Sequence, residues 1–257
     1  MTQVDTGIVA ALPEEVEEIL ARLVGEDGPP VPGRSRPQGL QELRWGRLSA
    51  RPVVVAVTGD GRRNALRGTR ALLGTVAPRR LLVVGVAGGL VEGAEAGRLV
   101  AGRVVWREEG GPLTPARSLL ASLVESGIPR GAVATVDDLL DTPETKRRVA
   151  RRLTREGLEL GLAVADLESA HCASVAEERG IPWAVLRCVS DEADEVLPAF
   201  LDRCRDDGGA VDRSRVARHL LLHPRELPAV LRLRRRVRRC AEHLADAVEI
   251  FLRERAA

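Results

Sequence analysis

The chain has 257 residues, 44% hydrophobic and 30% charged, which fits one large α/β domain with a buried core. The 39 Lys and Arg against 37 Asp and Glu leave a net charge of +2, and there is no Tyr and only 2% aromatics, so neither a global field nor a stacking surface for nucleic acid is present. No run approaches the about 20 apolar residues of a membrane span, and the first residues lack a signal-peptide pattern, so a soluble, reduced, cytoplasmic protein is expected.

Gly7-Ile8-Val9-Ala10-Ala11-Leu12 reads as a first buried strand, and Pro13 opens a helix with Glu14 and Glu15 in its first turn. Proline suits that place because its missing N–H would have no partner there, and acids favour the positive end of the helix dipole. Gly25 to Gln41 is a Pro/Gly-rich loop. Two strands flank Gly46, the second running from Val53 to Val57 into Thr58-Gly59-Asp60-Gly61, and a helix follows from about Arg62 to Val76. Leu81 to Val86 is an unbroken β-type run that ends in a turn at Ala87-Gly88-Gly89.

Further strands are expected at Leu99 to Trp106, Gly131 to Val136, Leu162 to Ala165 and Trp183 to Val189. Helices are expected at Pro115 to Ser126, at Pro143 to Glu156, and from a cap at Ser169 to Arg179. Strands alternating with helices predict a twisted, mostly parallel or mixed sheet flanked by helices. From Pro198 the chain changes character, with helices at Val211 to Leu222 and Glu226 to Arg253 and six arginines between 232 and 239. Residues 1–197 are therefore read as the α/β domain and 198–257 as a helical C-terminal extension packed on it.

Two acidic clusters carry the chemistry. Asp166-Leu167-Glu168-Ser169 and Ser190-Asp191-Glu192-Ala193-Asp194 each follow an apolar run. Carboxylates at the ends of parallel strands point to a cleft, because a strand end seldom needs several acids for structure. Gly59-Asp60-Gly61-Arg62-Arg63-Asn64 only half-matches a dinucleotide fingerprint; its third glycine is Asn64 and no acid closes the next strand. A tight strand-to-helix turn is the better reading, one that still presents backbone N–H groups to a ligand. Cys172, Cys188, Cys204 and Cys240 form no CxxC pair, and His171, His219, His223 and His243 lack metal-ligand spacing, so no metal is expected. Cys188 reads as a small core residue, and Lys146, the only lysine, as one outcome of a coding bias toward arginine.

Four segments together resemble the purine nucleoside phosphorylase superfamily, in its 5′-methylthioadenosine/S-adenosylhomocysteine nucleosidase-like branch. They are Gly7 to Val16, Gly85 to Leu90, Asp166 to Ser169 and Arg187 to Asp194, in series over roughly residues 4 to 195. The resemblance implies the nucleoside phosphorylase fold and cleavage of a purine nucleoside's N-glycosidic bond. It implies Asp191 as the acid at N7 of the departing base, Glu168 with Leu167 on the ribose, and Glu15 as the base that activates water. Arg187 and Ser190 would support them, Ala87 and Gly88 would floor the site, and Leu139 and Leu140 would wall the base. No cofactor is implied, and a homodimer is.

Val86 stands where many relatives carry a serine for phosphate or water, so hydrolysis is favoured over phosphorolysis, in which phosphate would be a co-substrate; Arg62 and Arg63 stay candidates for phosphate contact. Acid catalysis by Asp191 would need burial or a neighbouring acid, for which Asp194 is the candidate. The tail resembles that of hopanoid-associated phosphorylase-like proteins, which release adenine from adenosylhopane. Its basic helix reads either as a solvated cover for the core or as weak contact with a membrane surface. A non-catalytic nucleoside-binding protein is the remaining alternative.

Overall fold

A computed structural model describes residues 2–25, 37–204 and 211–253. The chain runs through β1 (Thr2–Ala10), α1 (Pro13–Ala21), β2 (Glu42–Leu48), β3 (Arg51–Val57), α2 (Arg62–Thr75) and β4 (Val76–Gly89). It continues through β5 (Leu99–Arg107), α3 (Arg117–Glu125), β6 (Arg130–Thr135), α4 (Pro143–Arg155), β7 (Ala163–Asp166), α5 (Ser169–Glu178) and β8 (Trp183–Asp191). The tail holds α6 (Phe200–Arg203), α7 (Arg213–Leu222), a 3₁₀ turn at Pro224–Glu226 and α8 (Leu227–Arg253).

The eight strands form one sheet in the order β2-β3-β1-β4-β7-β6-β5-β8, and β4 also pairs with β8, so part of the sheet closes on itself. β1 is parallel to β3 and β4, β4 to β8, and β6 to β5 and β7; β2–β3, β4–β7 and β5–β8 are antiparallel. Strands covered on both faces read as continuous apolar runs, as Val53 to Val57 and Leu81 to Val84 do. Leu72 of α2 and Val175 of α5 pack on one face, while Val16 and Ile19 of α1, Leu123 of α3 and Leu244, Val248 and Phe251 of α8 pack on the other. Each such side chain contributes about 1.5–3 kcal/mol by leaving water. The second half of α8 is thus part of the core, whereas its arginine-rich first half lies largely exposed.

Several expectations need correction. Gly46 lies inside β2, and the chain reverses at Ser49 and Ala50, with φ of 49° and 62°. Such a turn usually carries Asn-Gly or Gly-Gly, so the sequence held no signal for it. Ala87-Gly88-Gly89 is not a turn but the end of β4, where Gly88 and Gly89 pair with β7. Ser169 is the first helical residue of α5 rather than its cap, which falls at Glu168. The short α6 was not expected. Most of the Gly25–Gln41 loop, and Gly208-Gly209, lie outside the described residues. Among the described residues no helix is long and apolar enough to cross a membrane.

Candidate active site

The C-terminal ends of β1, β4, β7 and β8 open onto a cavity of about 370 Å³. Glu15, Ala87, Gly88, Leu139, Leu140, Leu167, Glu168, Ser190 and Asp191 all line it. Asp60, Asp166, Lys146 and Leu197 line it too, and the tail supplies Leu201, Val211, Leu233, Arg234 and Val237. Arg187 is buried, at 1% exposure, beneath that wall.

Glu15 is the third residue of α1, and its carboxylate turns back onto the strand ends. Oε2 accepts from the N–H groups of Ala11 and Leu12 at 3.0 and 2.9 Å, and Oε1 from that of Val86 at 2.9 Å. Burial holds its pKa above the ordinary range, against the pull of Arg187 and of these three donors. The Val86 N–H is therefore engaged by Glu15.

Arg187 sits on β8 with Nε 2.7 Å from Asp166 Oδ2, and its Nε and Nη2 donate to Ser169 Oγ at 3.1 and 3.0 Å. Its Nη1 is buried and has no acceptor among the described residues. A Cβ at Gly85 would stand 2.0 Å from that Nη1 and 2.6 Å from Glu15 Oε1. Glycine at 85 thus leaves room over the backbone for both the guanidinium and the carboxylate. Burial alone would lower the Arg187 pKa, but Asp166, Glu15 and Glu168 outweigh it and hold the group above its ordinary value.

Glu168 follows β7 and caps α5 by position. Its Oε1 accepts from the Gly61 N–H at 2.7 Å, so the first glycine turn serves the protein's own carboxylate. Burial, with Asp166 beside it, pushes its pKa up to about 8 against the pull of Arg187. Asp166 Oδ1 accepts from Thr135 Oγ1 at 2.8 Å and from the Ser169 N–H at 3.2 Å, which fixes the start of α5. Asp60 Oδ2 accepts from the Val211 N–H at 3.0 Å and so holds the residue that leads into α7 over the cavity.

Asp191 ends β8. The β4–β8 register pairs Ala87 with Val189 but Gly88 with Asp191, so Ser190 is bulged out. A bulge re-aims the side chains around it, and here Asp191 comes to rest over Gly88, where a Cβ would stand 3.1 Å from Oδ2. Ser190 Oγ donates to Asp191 Oδ1 at 2.6 Å, and Lys146 Nζ lies 2.6 Å from Oδ2. The expected neighbour, Asp194, is exposed; the charge beside Asp191 is the ammonium of Lys146 instead. Sequence reasoning missed Lys146, although a single lysine in so arginine-rich a chain is itself a signal. It also missed the structural parts played by Asp60 and Asp166.

Arg62 and Arg63 are exposed and do not line the cavity; Arg62 lies 3.5 Å from Glu109. Cys188 is a buried core residue, and the described cysteines are unpaired. His219 stacks between Phe200 and His223 in the tail. No three His, Cys, Asp or Glu among the described residues cluster as a metal site would require.

The 5′-methylthioadenosine/S-adenosylhomocysteine nucleosidase of Shewanella baltica is 24% identical over 219 residues, covering 76% of this chain and 87% of that protein. The crystal structure of the enzyme of that name from Neisseria meningitidis, in complex with methylthio-immucillin-A, superposes with a TM-score of 0.72 at 16% identity, over 98% of this chain and 99% of the other. Futalosine hydrolase of Helicobacter pylori superposes with a TM-score of 0.69 at 20% identity, over 98% and 97%. The sequence profile of the Phosphorylase superfamily matches residues 5–215. With that match over most of its length, and the same fold as these nucleosidases, the chain belongs to the phosphorylase superfamily.

Proposed function

We propose that the protein hydrolyses the N-glycosidic bond of a 5′-substituted purine nucleoside and releases adenine. The observation that carries this reading is the meeting of Glu15, Glu168 and Asp191 on one cavity. As the C–N bond breaks, positive charge develops on the sugar and negative charge on the base. Asp191 protonates the leaving base, and general acid catalysis of this kind is worth ~10²–10⁴-fold. Glu168 holds the ribose hydroxyls. Glu15 takes a proton from water, and the free Nη1 of Arg187, close by at Gly85, supports a place for that water's oxygen. The reaction needs no cofactor.

Hydrolysis is favoured over phosphorolysis because the Val86 N–H is engaged by Glu15 and because Arg62 and Arg63 stand away from the cavity. Adenine is supported by the names of the nucleosidases that the chain resembles. The wall of Leu197, Leu201, Val211, Leu233 and Val237 supports an apolar 5′ substituent, a class that spans a methylthio group and the lipid of adenosylhopane. The reading includes a reducing compartment, with which the unpaired buried cysteines agree, and a homodimer, which rests on the family resemblance alone.

The test is incubation with methylthioadenosine, adenosylhomocysteine, adenosine and inosine, with and without phosphate, while free base is measured. Adenine release from the 5′-thio substrates without phosphate is expected, and Asp191→Asn should lower it ~10²–10⁴-fold. Dependence on phosphate would replace hydrolysis by phosphorolysis. Tight binding of these nucleosides without release would leave a binding protein.

A further inference from the structure

Lys146 is the only lysine in a chain with 39 Lys and Arg residues, and it is 1% exposed. It stands in the first turn of α4, and its Nζ meets three acceptors: Asp191 Oδ2 at 2.6 Å, the Glu192 carbonyl, and the Glu195 carbonyl at 3.3 Å. An ammonium has three N–H donors on one nitrogen. A guanidinium spreads five over a rigid plane and does not match acceptors that converge on a single point.

We propose that Lys146 is the proton reserve of Asp191. The inference rests on the reading of the site as one that cleaves a glycosidic bond. As that bond breaks, its electron pair stays with the base, Asp191 gives its carboxyl proton to a base nitrogen, and Lys146 Nζ gives a second proton to Asp191 Oδ2, which ends as a carboxylic acid donating to the amine. Water's oxygen bonds to the anomeric carbon, and its proton goes to Glu15. After the base departs, Glu15 loses that proton to solvent and Lys146 regains one.

The hydrogen bonds around Nζ suit this transfer. The amine left behind keeps two N–H groups for the carbonyls of Glu192 and Glu195, and its lone pair faces Asp191. Each carbonyl keeps its donor, and the amine's lone pair has the Asp191 O–H as its partner. Meanwhile Ser190 Oγ holds the other Asp191 oxygen at 2.6 Å. The carboxylate stays in place while the proton moves.

The test compares the unaltered protein with Lys146→Met and Lys146→Arg on two substrates. Methylthioadenosine has a base that must be protonated to leave; 4-nitrophenyl riboside has a leaving group that departs as an anion. Both variants should lower adenine release about 10²–10⁴-fold and nitrophenol release far less, since arginine keeps the charge but not the transferable proton. Equal loss on both substrates, or loss on neither, overturns the proposal.

Rates in mixtures of light and heavy water test the same point. Water's proton moves on both substrates, and the adenine reaction adds the transfers at Asp191 and at Lys146, so the curve for adenine release should be steeper in the unaltered protein than in Lys146→Arg. The same curvature in both proteins overturns the proposal. An unaltered protein that frees base from neither substrate sinks the reading of the site, and this proposal with it.

Discussion

At the scale of single residues, the site is defined by how each carboxylate is held. Glu15 accepts three backbone N–H groups, Glu168 accepts one, and Asp191 is gripped by a hydroxyl and an ammonium. Glu168 keeps its proton up to about pH 8 when folded, against an ordinary value of 4.5. Between those values the folded chain binds more protons than the unfolded one, so stability falls as pH rises through that window. Glu15, raised by burial too, acts in the same direction. Glu168→Gln should flatten the fall of melting temperature between pH 4.5 and 8, as calorimetry would measure. The acids themselves were legible, because several carboxylates after apolar runs are hard to explain otherwise. Their partners were not: nothing in a linear sequence places Lys146 beside Asp191, 45 residues away.

At the scale of elements, the site depends on close approach between strands. Gly85 of β4 leaves room for Arg187 of β8 and Glu15 of α1 side by side, and the bulge at Ser190 sets Asp191 over Gly88. Gly85→Ala would drive a methyl group into Arg187, which Asp166 and Ser169 hold in place. A loss of about 1–3 kcal/mol is expected from such overpacking, read as a lower urea midpoint, together with reduced base release. Strands such as β3 and β8 were legible from their β-branched runs. The end of β4 was not, because Gly88-Gly89 carries the local signature of a turn while tertiary pairing with β7 decides otherwise. The Ser49-Ala50 reversal gave no local signal either.

At the scale of the whole molecule, the tail links the cavity to the surface. Arg236 of α8 pairs with Glu195, whose Oε2 also accepts from the Glu192 N–H, and the carbonyls of both acids receive Lys146. The docking of α8 is thereby joined to the position of Asp191. Farther out, Leu221 and Leu222 are 83% and 72% exposed, and Arg225, Arg232 and Arg235 are exposed near them in the chain. We propose weak contact of this end with an anionic membrane, where each basic side chain near the surface contributes ~1 kcal/mol. The full chain should float with anionic vesicles at low salt and less so after Leu221→Ser and Leu222→Ser together; absence from the vesicle fraction would leave the helix as a cover for the core.

The closed pairing of β4 with β8 also governs how the chain behaves toward its own copies. Among the described residues every strand but β2 has a neighbour on each side, so there β2 alone has a rim from which another polypeptide could continue the ladder. That rim is seven residues long, carries Glu42, Arg44 and Arg47, and is bridged at Arg47 by Val24. Short length and charge are what discourage strand addition. The fold thus guards against runaway polymerisation by leaving almost no template for it.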